Sequence, residues 1–381
     1  MRRRVEHGGQ GARVNQDMED ERGHRRMLAE AAPIWNGWGA RQDRAGTNVR
    51  LSMGGMERLS VRSRICFVVN MAAGDGGARE QLRMLPALIG SLGATCDVRF
   101  ARRPAGLHAE TEDALRAGFR TIVAVGGDGT VNAVASHLVG TDRDLGILPM
   151  GTFNYVARDL GIPPQWDAAV RLIADGATRT LDVGEVNGRI FLNNAGLGAY
   201  VMLVRRRERA FRLFGRSRIG AYLLVLRSLL GLRRSFALKV SVDGKLWRYR
   251  TPMAFIARNA HQLTSHGLPG ADCIARRELA LYVAPDCDRW QLLRLAIGLA
   301  LGRLRPERDF ALHCGGEILV ETHRRTRHVV CDGERLRMSA PFHFRVRRDA
   351  LRVIAPAVAD AGAPWRASTS EAAVPADRMA G

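Results

Sequence analysis

Short apolar runs at Ile65–Asn70, Thr121–Val125 and Leu145–Leu148 are separated by stretches such as Arg79–Leu92 and Val131–Leu138, whose apolar residues recur at helical spacing. Brief apolar runs bounded by turn residues read as buried strands, and their alternation with helical patterns predicts a parallel sheet with covering helices. From Leu181 onward the texture changes: Asn187-Gly188, Asp243-Gly244 and Asp332-Gly333 are each flanked by strand-forming residues, the mark of two-residue hairpins. The pattern predicts an α/β class of chain, with a three-layer α/β domain and parallel sheet over residues 61–182 and an antiparallel β-sandwich domain over residues 183–356. Helical inserts are expected in the second domain near 203–232 and 290–304.

Residues 1–60 mix Arg, Gly and acidic side chains without periodicity, and residues 357–381 are rich in Ala, Pro and Ser. Neither segment carries enough apolar surface to offset its ordering entropy, so both are expected to be disordered tails. Met53 and Met56 lie just upstream of the first strand-like run, and either could serve as the start.

Composition changes this picture in one respect. Fifty-eight Lys plus Arg against 38 Asp plus Glu give a formal charge of +20, a surplus that favours an anionic partner or reflects Arg-rich codon usage. Six cysteines occur without a C-x-x-C pair, so neither a zinc knuckle nor a redox motif is indicated, and a reducing cytoplasm is the simplest setting. No uncharged apolar stretch is long enough for a membrane span.

Candidate chemistry centres on Gly126-Gly127-Asp128-Gly129-Thr130, which follows a strand pattern and opens a helical one. Glycines at such a turn let backbone N–H groups approach phosphate oxygens, and the helix N-terminus favours negative charge there. Asp128 would repel a phosphate unless a cation lies between them, which makes a Mg²⁺-nucleotide the sensible ligand. The alternative reading is a tight βα turn with Asp128 as a helix cap. One βα unit later, Pro149-Met150-Gly151-Thr152-Phe153-Asn154 supplies a second glycine loop, and in a parallel sheet both loops open at the carboxyl edge.

These segments, with Val131-Asn132, Leu181-Asp182-Val183-Gly184 and Asp332-Gly333-Glu334, resemble the diacylglycerol kinase catalytic-domain family in order and spacing over about residues 62–355. The resemblance implies a two-domain lipid kinase of the bacterial diacylglycerol and sphingosine type, with an N-terminal domain like those of NAD kinases and phosphofructokinases and with ATP and Mg²⁺ in the cleft. By position it implies nucleotide contacts from Asn70, Gly126, Gly127, Asp128, Gly129, Thr130, Asn132, Gly151, Thr152 and Asn154. It also implies Mg²⁺ support from Asp128 and Asp182, and a general base at Glu334 acting with Asp128 in catalysis. Asp182 could instead be a strand-end turn residue, and Glu334 could flank its hairpin as the partner of an arginine.

Three positions depart from the family pattern: Ala133 and Tyr155 replace two carboxylates, and Ala275-Arg276-Arg277-Glu278-Leu279 replaces an Asp-Asp-Gly-x-Leu segment that contributes to a structural metal, so no second metal is expected. Two other functions share the glycine loop: an NAD kinase-like enzyme, and a nucleotide-binding regulatory protein with the kinase fold but little turnover.

Residues 204–234 hold ten arginines against the single acid Glu208, interleaved with Phe211, Leu213, Phe214, Ile219, Leu223 and Leu226. A helix or helix pair of this pattern suits adsorption to anionic headgroups, or else a helical hairpin whose leucines pack inward. The chain is therefore expected to be cytoplasmic and peripheral to the inner face of the membrane, with a lipid substrate there. Nucleic acid is not expected as a partner, given few aromatics for base stacking, and a homodimer is kept as an option.

Overall fold

The computed structural model describes residues 38–42, 49–53, 64–73, 76–90, 95–175, 177–204, 235–287 and 309–356, with isolated helical positions at 290, 291, 294 and 298. Strands β1 (Trp38–Gln42) and β2 (Val49–Met53) precede β3 (Arg64–Asn70), α1 (Gly76–Gly90), β4 (Thr95–Ala101), α2 (Pro104–Arg116), β5 (Thr121–Gly126), α3 (Asp128–Leu138), β6 (Asp144–Pro149), α4 (Tyr155–Asp159) and α5 (Trp166–Asp175). Strands β3, β4, β5 and β6 are parallel in the order β4-β3-β5-β6. Their apolar runs are buried on both faces, as parallel strands between helices require. The predicted α/β layer is therefore present.

Strands β1 and β2 form a hairpin whose second strand pairs with β4, which corrects the expectation of a disordered tail over those two spans. Val49 and Leu51 alternate with Arg50 and Ser52 in β2, which lies between β4 and the edge strand β1. The rest of the expected N-terminal tail lies outside the described residues, as does 357–381.

The second half contains β7 (Thr178–Val186), β8 (Arg189–Phe191), β9 (Asn194–Gly198), β10 (Phe236–Val242), β11 (Lys245–Thr251), β12 (Met253–Ala257), α6 (Ala260–Ser265), α7 (Ala271–Ala275), β13 (Leu279–Val283), β14 (Ala311–Gly315), β15 (Glu317–Thr322), β16 (Thr326–Cys331), β17 (Glu334–Ser339) and β18 (Phe342–Ile354). A separate antiparallel sheet runs β14-β13-β12-β9-β16-β17. It packs on β10, β15 and β18 through Leu197, Val240, Ile256, Leu281, Val320 and Phe344, giving the predicted sandwich. All three turn dipeptides take positive φ at both residues, at Asn187 and Gly188, Asp243 and Gly244, and Asp332 and Gly333, the backbone that a right-twisted two-residue hairpin demands.

The domain boundary is where the structure departs from the sequence reading. β7 crosses residues 182 and 183 without a break and pairs antiparallel with β18 along both its halves. β18 then places Arg352 and Val353 parallel to β6 and sends Leu351, Val353, Ile354 and Ala355 into the first core. The segment assigned to the end of the second domain thus completes the sheet of the first. A register shift between Arg347 and Leu351 lets the strand turn from one layer to the other.

Two further outcomes concern the second half. The inserts near 203–232 and 290–304 fall almost wholly outside the described residues. Cys273 and Cys314, separated by 41 residues, are joined in a disulfide. No local spacing announces it, because α7 and β14 meet only in the folded chain.

Candidate functional site

The parallel sheet changes direction of progression at β3, which has β4 on one side and β5 on the other. Crevices at the carboxyl ends of strands flanking such a switch are where open α/β sheets bind ligands. Asn70 ends β3 and Gly126 ends β5. The Asn70 side-chain Nδ2 donates to Thr130 Oγ1 at 2.8 Å, so the first strand's last residue fixes the side chain that opens α3.

The glycine loop is held by close packing. A Cβ on Gly126 would lie 2.3 Å from Thr130 Oγ1, and one on Gly151 would lie 2.5 Å from the Gly127 Cα. The two glycine loops therefore touch backbone to backbone, with Met150 N donating to Gly126 O at 2.8 Å. A Cβ on Gly129 would meet nothing, and this residue is exposed. Gly127 caps α3 in an extended conformation and offers no side-chain cap; Thr130 N donates to Gly127 O at 2.9 Å, and the N–H groups of Asp128 and Gly129 are left without an acceptor among the described residues. That is a cradle for an anion.

Asn154 has φ of 50°, its Oδ1 accepts from Gly151 N at 2.9 Å and its Nδ2 donates to Gly151 O at 2.8 Å. It braces the second loop, while Thr152 beside it is exposed. Asp128 Oδ1 accepts from Val156 N at 3.0 Å, tying the first loop to the start of α4. Its Oδ2 makes no hydrogen bond among the described residues, so one oxygen is left for a cation. Asn132 is buried, and its Oδ1 has no partner among the described residues. Glycine backbone, N–H groups without an acceptor, one carboxylate oxygen and an unpaired amide oxygen fit a magnesium nucleotide better than a plain helix cap.

The β16–β17 turn, carrying Asp332 and Glu334, belongs to the second sheet. Asp332 accepts backbone N–H groups from Leu192, Asn193 and Asn194 at 2.6, 2.9 and 2.9 Å. Burial pushes its carboxyl up to about 6, those three donors oppose the rise, and the negative charge of Asp128 adds to it. The Asp128 charge is thus felt at Asp332, across the two halves of the chain. Glu334 follows, exposed at the start of β17, with no hydrogen bond or ion pair among the described residues.

Asp182 is buried among cationic and backbone donors. Arg277 Nε donates to its Oδ2 at 2.7 Å and Arg277 Nη2 to its Oδ1, Arg258 Nη2 lies 3.2 Å from Oδ2, and Asp349 N donates to Oδ1 at 2.8 Å. Burial alone would raise this carboxyl, but the Arg277 bonds, the Asp349 N–H and the Arg258 charge outweigh it and hold it below the usual range. Both oxygens are engaged by Arg277, and Arg258 and the Asp349 N–H complete the set of partners.

Sequence reasoning missed an aromatic group at the cleft. Phe153 and Tyr155 stack with centroids 5.3 Å apart and planes at 8°, and the Tyr155 hydroxyl meets His266 Nε2 at 3.5 Å. His261 N donates to Asp159 Oδ1 at 2.8 Å, which docks α6 of the second domain on α4 of the first. The signal available was Phe153 and Tyr155 within the second glycine loop, two residues apart on an irregular backbone that no periodicity describes.

Residues 64–186 match the sequence model of the diacylglycerol kinase catalytic domain, and the resemblance drawn from the motifs holds over that span. The chain is 40% identical over 132 residues to a Pseudomonas aeruginosa protein named "Probable lipid kinase YegS-like", covering 34% of this chain and 43% of that one. It is 37% identical over 146 residues to a diacylglycerol kinase of Bacillus subtilis, covering 37% and 46% respectively. The matched region thus spans less than half the length of these relatives. A crystal structure of a diacylglycerol kinase from Bacillus anthracis superposes with a TM-score of 0.55 at 17% identity, covering 77% of this chain and 97% of that one, a likeness of fold.

Proposed function

We propose that the protein is a lipid kinase that transfers the γ-phosphate of ATP to a lipid hydroxyl, of the diacylglycerol or sphingoid type. The observation that supports this reading is the back-to-back packing of the glycine loop at 126–130 on the loop at 151–154; in this reading the Asp332–Glu334 turn faces them across the substrate. Phosphoryl transfer asks mainly for alignment and neutralisation of charge, with one group to take the hydroxyl proton. In this reading Gly127, Gly129 and the first N–H groups of α3 hold phosphate oxygens, Asp128 Oδ2 holds Mg²⁺, and Glu334 receives the proton. Bound Mg²⁺ would supply positive charge between Asp128 and the phosphates.

The +20 charge and the arginine-rich segment 204–234 support work at an anionic surface, although that segment lies outside the described residues. No helix among the described residues is long and apolar enough to cross a membrane, in keeping with peripheral attachment at the inner face.

The test is transfer of labelled phosphate from ATP with Mg²⁺ to a panel of lipids in mixed micelles. A phospholipid product is expected. Glu334→Ala should lower kcat by roughly 10²-fold or more while sparing ATP binding, and Asp128→Asn should lose Mg²⁺-dependent turnover yet stay folded, since its Oδ1 can still accept from Val156 N. Transfer only to NAD, or ATP binding with no transfer to any acceptor, overturns the lipid-kinase reading.

A further inference from the structure

Away from the cleft, Cys273, Cys314 and Glu278 form the one group of three potential ligands found among the described residues, their donor atoms all within 4.8 Å of one another. Three separate backbone constraints place them. Cys273 lies in α7 and is 1% exposed. Glu278 closes the turn after α7 by donating its N–H to Cys273 O at 2.9 Å. Cys314 sits opposite Ala280 in the β13–β14 ladder, two residues beyond Glu278. A site whose donors are set by three different elements is preorganised rather than a chance surface cluster.

The cysteine pair is bridged in the structure, with the Cα atoms 5.7 Å apart. Two thiolates on one tetrahedral zinc, with Zn–S of about 2.3 Å, stand roughly 3.8 Å apart. Side-chain rotation on a backbone this closely spaced can supply that separation. Around the pair, Arg276 engages Glu278 Oε2 from Nε at 3.3 Å and from Nη2 at 3.1 Å, which leaves Oε1 without a hydrogen bond among the described residues. Asp272 Oδ1 lies 3.9 Å from Cys273 Sγ, while its Oδ2 accepts from Arg276. Two sulfurs and one carboxylate favour a borderline-soft divalent cation over Mg²⁺ or Ca²⁺, with water in the fourth position.

We propose that Cys273, Cys314 and Glu278 are a zinc site in the reduced protein, and that the Cys273–Cys314 disulfide is its oxidised, metal-free form. A phosphine reductant takes up the oxygen of one water and delivers two electrons and two protons to the disulfide, giving two thiols and a phosphine oxide. Zinc then displaces both thiol protons to the buffer. The site lies on the turn that presents Arg277 to Asp182, and it stands apart from the kinase reading.

The experiment uses the full chain, reduced with a phosphine, desalted without oxygen and given one equivalent of zinc or cobalt. Expected are one zinc retained per chain, two protons released for each, and a thiolate-to-cobalt charge-transfer band. Cys273→Ser and Cys314→Ser should abolish retention, Glu278→Gln should weaken it at least about tenfold, and Cys287→Ser should leave it intact. Should the cysteine variants fold poorly, the cobalt spectrum of the wild-type chain and the Glu278→Gln affinity decide. A reduced wild-type protein that retains no zinc, a cobalt complex without the thiolate band, or retention unchanged in Glu278→Gln overturns the proposal.

Discussion

A single methyl group at residue 151 would separate the two glycine loops, because its carbon would lie 2.5 Å from the Gly127 Cα, a backbone atom that cannot swing away. Gly151→Ala should therefore destabilise the protein by on the order of 1–3 kcal/mol, read as a lowered denaturation midpoint. Gly129→Ala meets open space and replaces a helical glycine, so its stability should be unchanged or slightly raised, while calorimetry should show weakened ATP binding. Asp332 gives a second expectation at this scale. Its carboxyl is pushed up to about 6 by burial, so the folded protein binds more protons than the unfolded chain between the ordinary carboxylate range and about 6. The stability contributed by this group is full below that window and declines as pH rises through about 6. Denaturation of Asp332→Asn at pH 5 and 7 should show a smaller fall over this interval than wild type; an equal fall removes Asp332 as the source. Residues whose roles are local, such as the glycines at 126 and 151, were legible in the sequence. Asp182 was not, because the arginine that claims it lies 95 residues away.

At the scale of elements, the α6–α7 segment ties the second half of the chain to the first. Asn259 caps α6 by accepting from Gln262 N at 2.7 Å, and α6 docks on α4 through Asp159. The turn after α7 holds Arg277 at φ of 63° and aims it at Asp182 and Asp349. Asp182 and Arg258 are both nearly enclosed, with side chains 7% and 8% exposed. Asp182→Ala should therefore cost about 3–5 kcal/mol by leaving the Arg258 guanidinium buried without its partner. Arg277→Ala should cost far less, since that side chain is 42% exposed and solvent screens it. The Asp182 carboxyl is held below the usual range, so its contribution is full at neutral pH and is lost as pH falls through the depressed value. Acid denaturation of Asp182→Asn should show a shallower fall than wild type. Hairpins were read correctly because Asn-Gly and Asp-Gly turns carry their own backbone preference. Helices as short as α6 and α7 carry no periodicity over which to be recognised, and so the joint they build was invisible.

For the molecule as a whole, β18 decides what can fold alone. Hydrophobic texture changes near residue 181 and suggests a boundary there, but texture reports burial and not which sheet a strand finally joins. β6 pairs on one side with β5 and on the other with the end of β18. Leu351, Val353 and Ile354 from that end fill the first core against its strands and helices. A fragment of residues 61–182 would leave β6 as an apolar edge strand without its neighbour, the arrangement most prone to pair with other chains. It should therefore aggregate, or unfold without a cooperative transition, whereas residues 61–356 should melt as one unit with slow amide exchange along β6. Addition of a peptide spanning 342–356 to the fragment should restore part of that protection. A fragment that melts cooperatively by itself, at a midpoint near that of the longer chain, would show that the first domain does not depend on the returning strand.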